Sequence, residues 1–336
     1  EQEWFRSLPG PAPVPLAEGA FALATAEADP ELRAEAAAAV IAAARAVEAQ
    51  AFGLAETSAE TISVVNSLGV DVSEQRSRAR VMTVMMGPGG GTGYAEQVAV
   101  DVEAIEASAI GHEAAQRTAA MANPIELPAG DYPVVLDHYA TMDLALWLGA
   151  VGFNAQDVQE QQSFFEPGKV VDSPLISLAD DGNDQLGTPA SFDYEGVAKQ
   201  RVPLLEHGVC RALVHDSKSA AAEGVPSTGH ALPAPNPWGP NPLNLSMAPG
   251  EMSREEVLGG LERGLLVTRF HYTNAVHPRQ VRITGMTKDG LFLVEDGKIV
   301  APVRNLRFTQ SYLDALAAVE AVSRERRAVD GDDYLG

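Results

Sequence analysis

The sequence predicts an α+β protein: an N-terminal α/β-type domain, with two long helices packed on a sheet, is followed by a β-rich C-terminal domain of hairpins with few helices. Apolar residues recur at helical spacing in the first third of the chain, whereas short β-branched runs between turn residues dominate the rest. No repeat of roughly 20 to 50 residues indicates a solenoid. A proline-rich stretch places the domain boundary near residue 125, giving domains at 1–125 and 126–336.

Length and charge exclude several classes of protein. The chain has 336 residues, about two domains at the usual ~150 residues each. It carries 46 Asp and Glu against 24 Lys and Arg, a net charge of -22, which would repel a phosphate backbone. No stretch approaches the ~18 to 20 apolar residues of a membrane span. The single cysteine, Cys210, excludes a disulfide framework, so we expect a cytoplasmic protein without nucleic-acid or membrane partners.

Two helices are predicted in the N-terminal domain. Asp29 is a suitable N-cap and Pro30 a suitable first helical residue, and apolar side chains then repeat at helical spacing to Val47. A second helix is predicted from Gln97 to Ala122 on the same periodicity argument.

Hairpins are predicted in both domains. Residues 60–72 and 78–86 are rich in β-branched residues and methionine on either side of a turn signal. In the C-terminal domain, residues 200–216 and 290–308 each contain two apolar runs around a glycine-containing turn. A buried strand is predicted at 132–136.

Three helices are predicted in the C-terminal domain. The apolar segment Thr141–Val151 has the length of a buried helix. Ser253 and Glu256 form a capping box at the start of a short helix that Gly264 would end. A terminal helix is predicted over Ser311–Arg327.

Two short motifs are poor evidence for chemistry. The glycine-rich run at 87–93 lacks the Lys-Ser/Thr pair of a phosphate-binding loop, so we interpret it as a tight loop that joins a strand to the second helix. His112-Glu113 is half of a zinc-protease signature, but Gln116 stands where the second histidine is needed. We therefore expect His112 to be a partly buried structural histidine without a metal.

Two further clusters leave alternatives open. His207 and Cys210 are two of the ligands that a zinc site needs, but a turn histidine beside an inward-packed cysteine explains them as well. Ser227, Thr228 and His230 lie on a glycine- and proline-containing loop that would either present polar groups to a ligand or hold its own turn through side-chain hydrogen bonds.

Four stretches of the C-terminal half match, in order, those of a known family. They are residues 132–136 (YPVVL), 191–230, 263–274 and 283–311. On these stretches the chain resembles the TldD/PmbA family of metalloprotease-related proteins, and residues 59–70 add weaker support. The resemblance implies an α+β N-terminal domain and a β-rich C-terminal domain. It also implies further strands before the point where this sequence begins.

The resemblance is to the subunit without zinc. In TldD, a helix shortly after the equivalent of PVVL carries an H-E-x-x-x-H pair that holds zinc, and a cysteine ligand follows later. Here the matching helix segment, Leu146–Val151, has no donor side chain, and residues 283–290 contain no cysteine. The resemblance therefore implies a TldE/PmbA-like subunit that has no cofactor of its own. Its partner would be a TldD-type catalytic subunit that carries the zinc, and their substrate a peptide or an unfolded protein.

The resemblance also selects candidate substrate-binding residues, although it assigns no catalytic residue and no metal ligand. They are Tyr194, Glu195, Gly196, Ser227, Thr228, Gly229 and His230. Two alternatives to the subunit interpretation remain. One is a metal-independent enzyme that acts on a peptide or small molecule in the same cavity, suggested by the C-terminal histidines and Cys210. The other is a homodimeric binding module.

Overall fold

A long antiparallel hairpin forms the centre of the N-terminal part in the computed structural model, which describes residues 8–171 and 173–331. Its strands are β1 (Gln50–Val65) and β2 (Asp71–Met86), and β3 (Thr92–Ala99) pairs antiparallel with β2. The Asn66 side chain accepts the backbone N–H of Leu68 and stabilises the turn. The predicted hairpin is confirmed, with longer strands than expected.

The predicted layer of helices on this sheet is confirmed. The helices of the N-terminal part are α1 (Leu23–Ala26), α2 (Pro30–Ala46) and α3 (Ala107–Ala120). Asp29 caps α2 as predicted, because its carboxylate accepts the N–H of Leu32 at 2.8 Å. The packing between α2 and α3 is close, since a Cβ on Gly111 would lie 3.0 Å from the Cβ of Ala43. Val81 and Met85 of β2 complete this core.

The predicted start of the second helix at Gln97 is wrong. Gln97 lies in β3, and α3 begins only at Ala107. The spacing of Val98, Val102 and later apolar residues imitates a helical stripe, but Val98 pairs across the sheet with Arg80 of β2. Backbone pairing with a neighbouring strand therefore outweighs the local periodicity.

The glycine-rich run is a tight loop, as predicted. It joins β2 to β3 rather than a strand to a helix, and Gly89 and Gly90 have φ values of 65° and 76°. These left-handed conformations favour glycine because a Cβ would be strained there. The run thus has a structural explanation that needs no phosphate.

The C-terminal part contains two further sheets. Its strands are β4 (Val134–Leu136), β5 (Leu178–Asp180), β6 (Val202–Glu206), β7 (Val209–Cys210), β8 (Leu245–Met247), β9 (Arg263–His277), β10 (Arg282–Glu295), β11 (Lys298–Pro302) and β12 (Arg307–Ser311). One sheet has the order β11-β10-β9-β4, with β12 also paired to β10, and the other has the order β7-β6-β5-β8. The β-rich character predicted for this part is confirmed. The strand predicted at 132–136 is present as β4, but it is not buried, because Val134 is 48% exposed.

Both hairpins predicted in the C-terminal part are present. The turn between β10 and β11 is at Asp296-Gly297, where both residues have positive φ. The hairpin of β6 and β7 is shorter than predicted, because β7 ends at Cys210. His207 is exposed in that turn and Cys210 is fully buried, so the interpretation as a turn histidine beside an inward-packed cysteine is confirmed.

The helices of the C-terminal part are α4 (His138–Gly152), α5 (Ala155–Gln159), α6 (Ser217–Glu223), α7 (Arg254–Gly259) and α8 (Tyr312–Ala317). The buried helix predicted at Thr141–Val151 is α4, whose Ala140, Leu144 and Leu148 lie in the main core. No helix within the described ranges has both the length and the apolar character needed to cross a membrane.

Two helix ends differ from their prediction. The capping box of Ser253 and Glu256 is present, but α7 ends at Gly259 and Gly264 lies in β9. A Cβ on Gly264 would stand 2.3 Å from the carbonyl oxygen of Pro133, so this glycine permits close strand pairing rather than a helix stop. The predicted terminal helix ends at Ala317 instead of Arg327, because residues beyond it bond to other segments: Ser323 accepts the backbone N–H of Gly250.

The prediction for His112 is also wrong. His112 is exposed on α3, and its Nδ1 is 3.0 Å from the carbonyl oxygen of Ser108 one turn earlier. Its position at the edge of the apolar stripe turns it to solvent, while Gly111 and Ala115 face the core.

A buried carboxyl group ties α4 to its neighbours. Asp143 of α4 accepts hydrogen bonds from the Tyr312 hydroxyl at 2.6 Å and from the Thr273 hydroxyl at 2.7 Å. Trp147 donates its indole N–H to the same threonine oxygen at 3.0 Å. Burial raises the pKa of Asp143 to about 6, against the lowering effect of the two hydrogen bonds.

This raised pKa predicts how stability depends on pH. The folded state holds the Asp143 proton more tightly than the unfolded chain, whose carboxyl has a pKa of 3.8. The contribution of this group to stability is therefore full below pH ~4 and is lost as the pH rises through ~6, a change of about 2 to 3 kcal/mol. Asp143→Asn should remove it. Urea unfolding of both proteins from pH 4 to 7 measures the difference, and parallel curves would contradict the assignment.

Candidate functional site

A large cavity separates the N-terminal sheet from the C-terminal part. Its volume is about 2890 Å³. One wall is the face of the N-terminal sheet opposite the helices, where Arg76 and Arg78 of β2 project. The facing walls are formed by β4, by β8 and by the N-terminal half of α4, and the segment 318–331 also borders the space. A cavity of this size exceeds the ~300 to 1,000 Å³ of a typical small-ligand pocket and suits a longer ligand.

Asp137 organises the corner where these walls meet. It follows β4 directly and is the N-cap of α4. Its Oδ2 accepts hydrogen bonds from Arg117 of α3 at 2.8 Å and from Arg254 of α7 at 3.0 Å, while its Oδ1 lies 2.8 Å from the Nδ1 of His138. Burial would raise the pKa of Asp137, but the His138 hydrogen bond and the positive charges of His138, Arg117 and Arg254 hold it far below its usual range. Asp137 is therefore an ionised anchor and not a proton donor.

The cavity face of α4 carries one side chain of a metal-binding type, His138. His138, Thr141, Met142, Ala145 and Leu146 of this helix line the cavity. Across residues 8–171 and 173–331, no group of three or more His, Cys, Asp or Glu side chains is arranged to hold a metal ion. The residues present therefore do not fit a zinc ion at the position implied by the family resemblance, since catalytic zinc needs about three protein ligands.

The two predicted loops meet in space through Asp193. Its Oδ2 accepts the N–H of Ala231 at 2.9 Å, and its Oδ1 accepts the N–H groups of Glu195 and Val197, both at 2.9 Å. In addition, the N–H of Tyr194 donates to the carbonyl of Ala231. One buried carboxylate thus holds the 193–197 turn against the end of the 227–230 loop.

Three of the seven predicted residues line the cavity: Tyr194, Gly229 and His230. Tyr194 presents a partly exposed ring, at 43%. The His230 side chain is fully buried and forms part of the wall without an exposed edge. Gly229 has a φ of 77°, and a Cβ there would lie 2.4 Å from the carbonyl oxygen of Ala198, so glycine permits the close approach of two backbones.

The other four predicted residues lie behind the wall. Glu195 accepts the N–H of Ser217 at the start of α6, and burial raises its pKa. Gly196 contacts the N-terminal hairpin, since a Cβ on it would lie 2.6 Å from Val70. Ser227 and Thr228 both donate their hydroxyl groups to the carbonyl oxygen of His215. Each of these residues therefore has a structural contact that explains it.

A buried polar chain links this loop to β5. The Nδ1 of His230 lies 2.9 Å from the Thr228 hydroxyl, and its Nε2 lies 2.8 Å from Oδ1 of Asp180. Lys199 approaches the same carboxylate oxygen at 3.4 Å, and Asn244 donates its N–H to the other oxygen. Burial lowers the pKa of His230, while the His230 hydrogen bond and the Lys199 charge keep the pKa of Asp180 low despite its burial.

The chain of Asp180, His230 and Thr228 has the order of a nucleophilic triad but not its exposure. Thr228 does not line the cavity, and its hydroxyl oxygen accepts the N–H of His215 at 2.7 Å. A nucleophile must reach a substrate atom, and this oxygen is instead held against backbone. The network stabilises the loop and does not present an attacking group to the cavity.

Sequence reasoning did not single out several of these residues. Asp137 had a detectable signal, because an aspartate directly before an apolar helix is a common N-cap. Asp180, Lys199 and Asp193 had none, since their partners are 19 to 50 residues away in the sequence.

Removing the central carboxylate should destabilise the fold. Asp180→Ala leaves the Lys199 ammonium and His230 buried without their partner, which typically costs about 3 to 5 kcal/mol. Glu206→Ala, which breaks the exposed pair with Arg211, is the matched control and should cost less than about 1 kcal/mol. Urea unfolding at pH 7 measures both changes. Equal losses of unfolding free energy for the two variants would show that the buried network stabilises the protein no more than an exposed ion pair does.

Comparison with known proteins assigns the family. Residues 24–122 match the sequence model of the PmbA/TldA metallopeptidase central domain, and residues 129–334 match that of the PmbA/TldA metallopeptidase C-terminal domain. A metalloprotease TldD homolog of Buchnera aphidicola is 28% identical over 223 residues, which are 63% of this chain and 44% of the relative. Another, of Haemophilus influenzae, is 26% identical over 273 residues, 76% of this chain and 53% of the relative.

The fold is also found in a solved structure. The crystal structure of TldE from Thermococcus kodakarensis superposes with a TM-score of 0.87 at 22% sequence identity, covering 96% of this chain and 75% of that one. The chain spans about half the length of the two TldD homologs it matches. The two domain matches, which together cover most of the sequence, show that this chain belongs to the PmbA/TldD metallopeptidase family.

Proposed function

We propose that this chain is a zinc-free, TldE-like subunit of a cytoplasmic metallopeptidase complex, which completes a chamber and holds extended peptide substrate for cleavage at the zinc of a TldD-type partner. The observation that carries the proposal is the composition of the cavity wall. An open strand edge, β4, lies beside a helix, α4, whose cavity face carries one histidine, His138, but no second His, Cys, Asp or Glu among its lining residues. Such a wall can bind a polypeptide backbone but does not itself supply a metal.

The open edge follows from the hydrogen bonding of β4. This strand is the last in its sheet and pairs in parallel with β9 alone among the described strands. The carbonyl of Pro133 and the N–H of Asp137 bond to β9, at Leu265 and Val267. Because successive backbone groups of a strand point to opposite sides, the N–H and C=O of Val134 and Leu136 point away from β9. Both residues line the cavity.

A second strand edge borders the same space. β8 is the last strand of the four-stranded sheet, and its pairing with β5 uses the backbone of Asn244, Ser246 and Ala248. The N–H and C=O of Leu245 and Met247 therefore point away from β5, and both residues line the cavity. Two strand edges on one cavity favour an extended peptide over a compact ligand.

Strand addition would give such a subunit a broad substrate range. An added strand bonds through its main chain, so affinity depends little on its side chains. Only unfolded or extended segments can offer a free main chain, which matches the peptide or unfolded-protein substrate implied for the family. The exposed ring of Tyr194 supplies an apolar contact on the wall. In the partner, zinc would polarise the scissile carbonyl and activate water; no step of that chemistry uses a residue of this chain.

Purification of the complex tests the subunit assignment. The tagged chain, isolated from its native lysate, should bring with it a TldD-type subunit and about one zinc ion per heterodimer, as expected from one catalytic site. Mass spectrometry and metal analysis of the same sample give both values. Stoichiometric zinc bound by this chain alone would contradict the assignment, as would a complex lacking any TldD-type subunit.

A single substitution tests the open edge. Val134→Pro removes an N–H that points away from β9, so the sheet keeps its hydrogen bonds while a docked peptide loses one. Val134→Ala, which keeps that N–H, is the matched control. Since one hydrogen bond contributes about 0.5 to 1.5 kcal/mol, we expect proline to weaken binding about 3- to 10-fold relative to alanine.

Fluorescence anisotropy with a labelled unstructured peptide measures the binding of both variants, in the heterodimer with its partner. Circular dichroism before and after heating confirms that the two variants fold alike. Equal affinities for the proline and alanine variants would exclude strand addition at β4.

A further inference from the structure

Charge is distributed unequally along this acidic chain. Residues 263–311 hold eight of the 24 basic residues and only three of the 46 acidic ones, so this segment is net +5 and the remainder -27. The segment forms β9, β10, β11 and β12, which are neighbours in one sheet. The fold therefore gathers positive charge on one sheet of an otherwise negative molecule.

The register places two of these basic residues, Arg282 and Arg307, on one exposed face together with two histidines. Arg282, Thr284 and Met286 of β10 point to solvent, whereas the intervening Ile283 and Gly285 are buried. Opposite Met286 stand His271 on β9 and Arg307 on β12, and opposite Arg282 stands His277. We call Arg282, Met286, His271, His277 and Arg307 the basic face.

The strands that carry the basic face contain few acidic residues. The sequence contains no acidic residue between Glu262 and Asp289 or between Asp296 and Asp314. Asp289 is fully buried and pairs with Arg269, which in turn lies over the ring of Tyr94 in the N-terminal part. The charges of Arg269 and Lys288 lower the pKa of His271, after the larger effect of burial, as expected in a positive environment.

Apolar side chains interrupt these charges. Met286 is 42% exposed in the middle of the basic face, and Val276 and Tyr272 are 54% and 80% exposed on the adjacent stretch of β9. A flat sheet face with apolar atoms among cations suits a protein surface, because protein interfaces combine an apolar centre with a charged rim. Nucleic acid fits less well, since the remaining charge of -27 would repel its backbone.

A complementary surface lies on the N-terminal part. Thr25 of α1 bonds to the 100–102 backbone, so the start of α2 and the segment before α3 lie side by side. The exposed acidic residues there are Glu27, Asp29, Glu31, Glu103 and Glu106, which we call the acidic patch. Leu23 and Leu32 are exposed among them, at 62% and 39%. The patch thus has the opposite charge to the basic face and exposed apolar atoms to match.

We propose that the basic face docks on the acidic patch of a second copy of this chain. Opposite charges would orient the two copies, and contact between Met286 and the exposed leucines would exclude water at the centre. The proposal does not depend on the peptide-holding function, because none of its contacts uses the open edges of β4 or β8, although Arg307 also borders the cavity.

Charge reversal with rescue tests the docking. Sedimentation equilibrium of the full chain should show self-association that weakens between about 50 and 500 mM NaCl, where screening shortens the range of electrostatic attraction. Arg282→Glu with Arg307→Glu should weaken it by at least about tenfold, and so should Glu31→Lys with Glu103→Lys. A mixture of the two double variants should associate again, because the reversed face of one now matches the reversed patch of the other.

The control has the same change in net charge elsewhere. Arg201→Glu with Arg211→Glu alters two exposed arginines outside the basic face, and it should leave self-association unchanged. A chain that stays monomeric at every salt concentration would overturn the proposal. Equal weakening of self-association in the control, or failure of the mixture to associate, would also overturn it. The same holds if fluorescence anisotropy shows that a labelled single-stranded oligonucleotide binds to the basic face.

Discussion

The ion cluster at Asp137 is the interaction on which the arrangement of this molecule depends. One carboxylate ends β4, caps α4, and accepts charged hydrogen bonds from α3 in the N-terminal part and α7 in the C-terminal part. The walls of the cavity meet at this point, so the cluster determines where the strand edge lies relative to the helix. Because Asp137 and Arg117 are largely buried, loss of the carboxylate would leave Arg117 with Glu113 as its remaining ion-pair partner, whereas the half-exposed Arg254 would be solvated by water.

The position of β4 beside α4 connects this geometry to function. In this chain the helix contributes a single histidine, His138, beside Thr141 and Met142 to the cavity, which is too few ligands for a catalytic zinc, while the strand contributes backbone groups that point away from β9. The strand can therefore bind a peptide backbone while the helix supplies no zinc site, as a peptide-holding subunit would require. The distribution of charge extends the same reasoning to assembly, since the sheet that contains β4 also carries the basic face on β9, β10 and β12.

The candidate loop residues show why chemistry is difficult to infer from residue type. Ser227, Thr228 and His230 resemble a reactive cluster in the sequence, yet the hydroxyl of Thr228 is bound to the backbone of His215 and His230 is closed off by Asp180. Their polar groups complete a buried hydrogen-bond network. Every member of it needs a partner, because an unpaired polar group in the interior costs stability. Asp193 and Asp180, which hold the loops together, could not be identified because their partners are distant in the sequence.

The sequence by itself determined the elements whose signals are local. The Asp29 cap, the hairpin at Asn66, the apolar helix α4 and the capping box of Ser253 all depend on neighbouring residues. Only the tertiary structure decided the strand at Gln97, the end of α8 and the role of Gly264. Each of these depends on backbone pairing with a segment distant in sequence. Such pairing satisfies the backbone hydrogen bonds that a helix or turn would otherwise satisfy, so the local periodicity alone does not decide the structure.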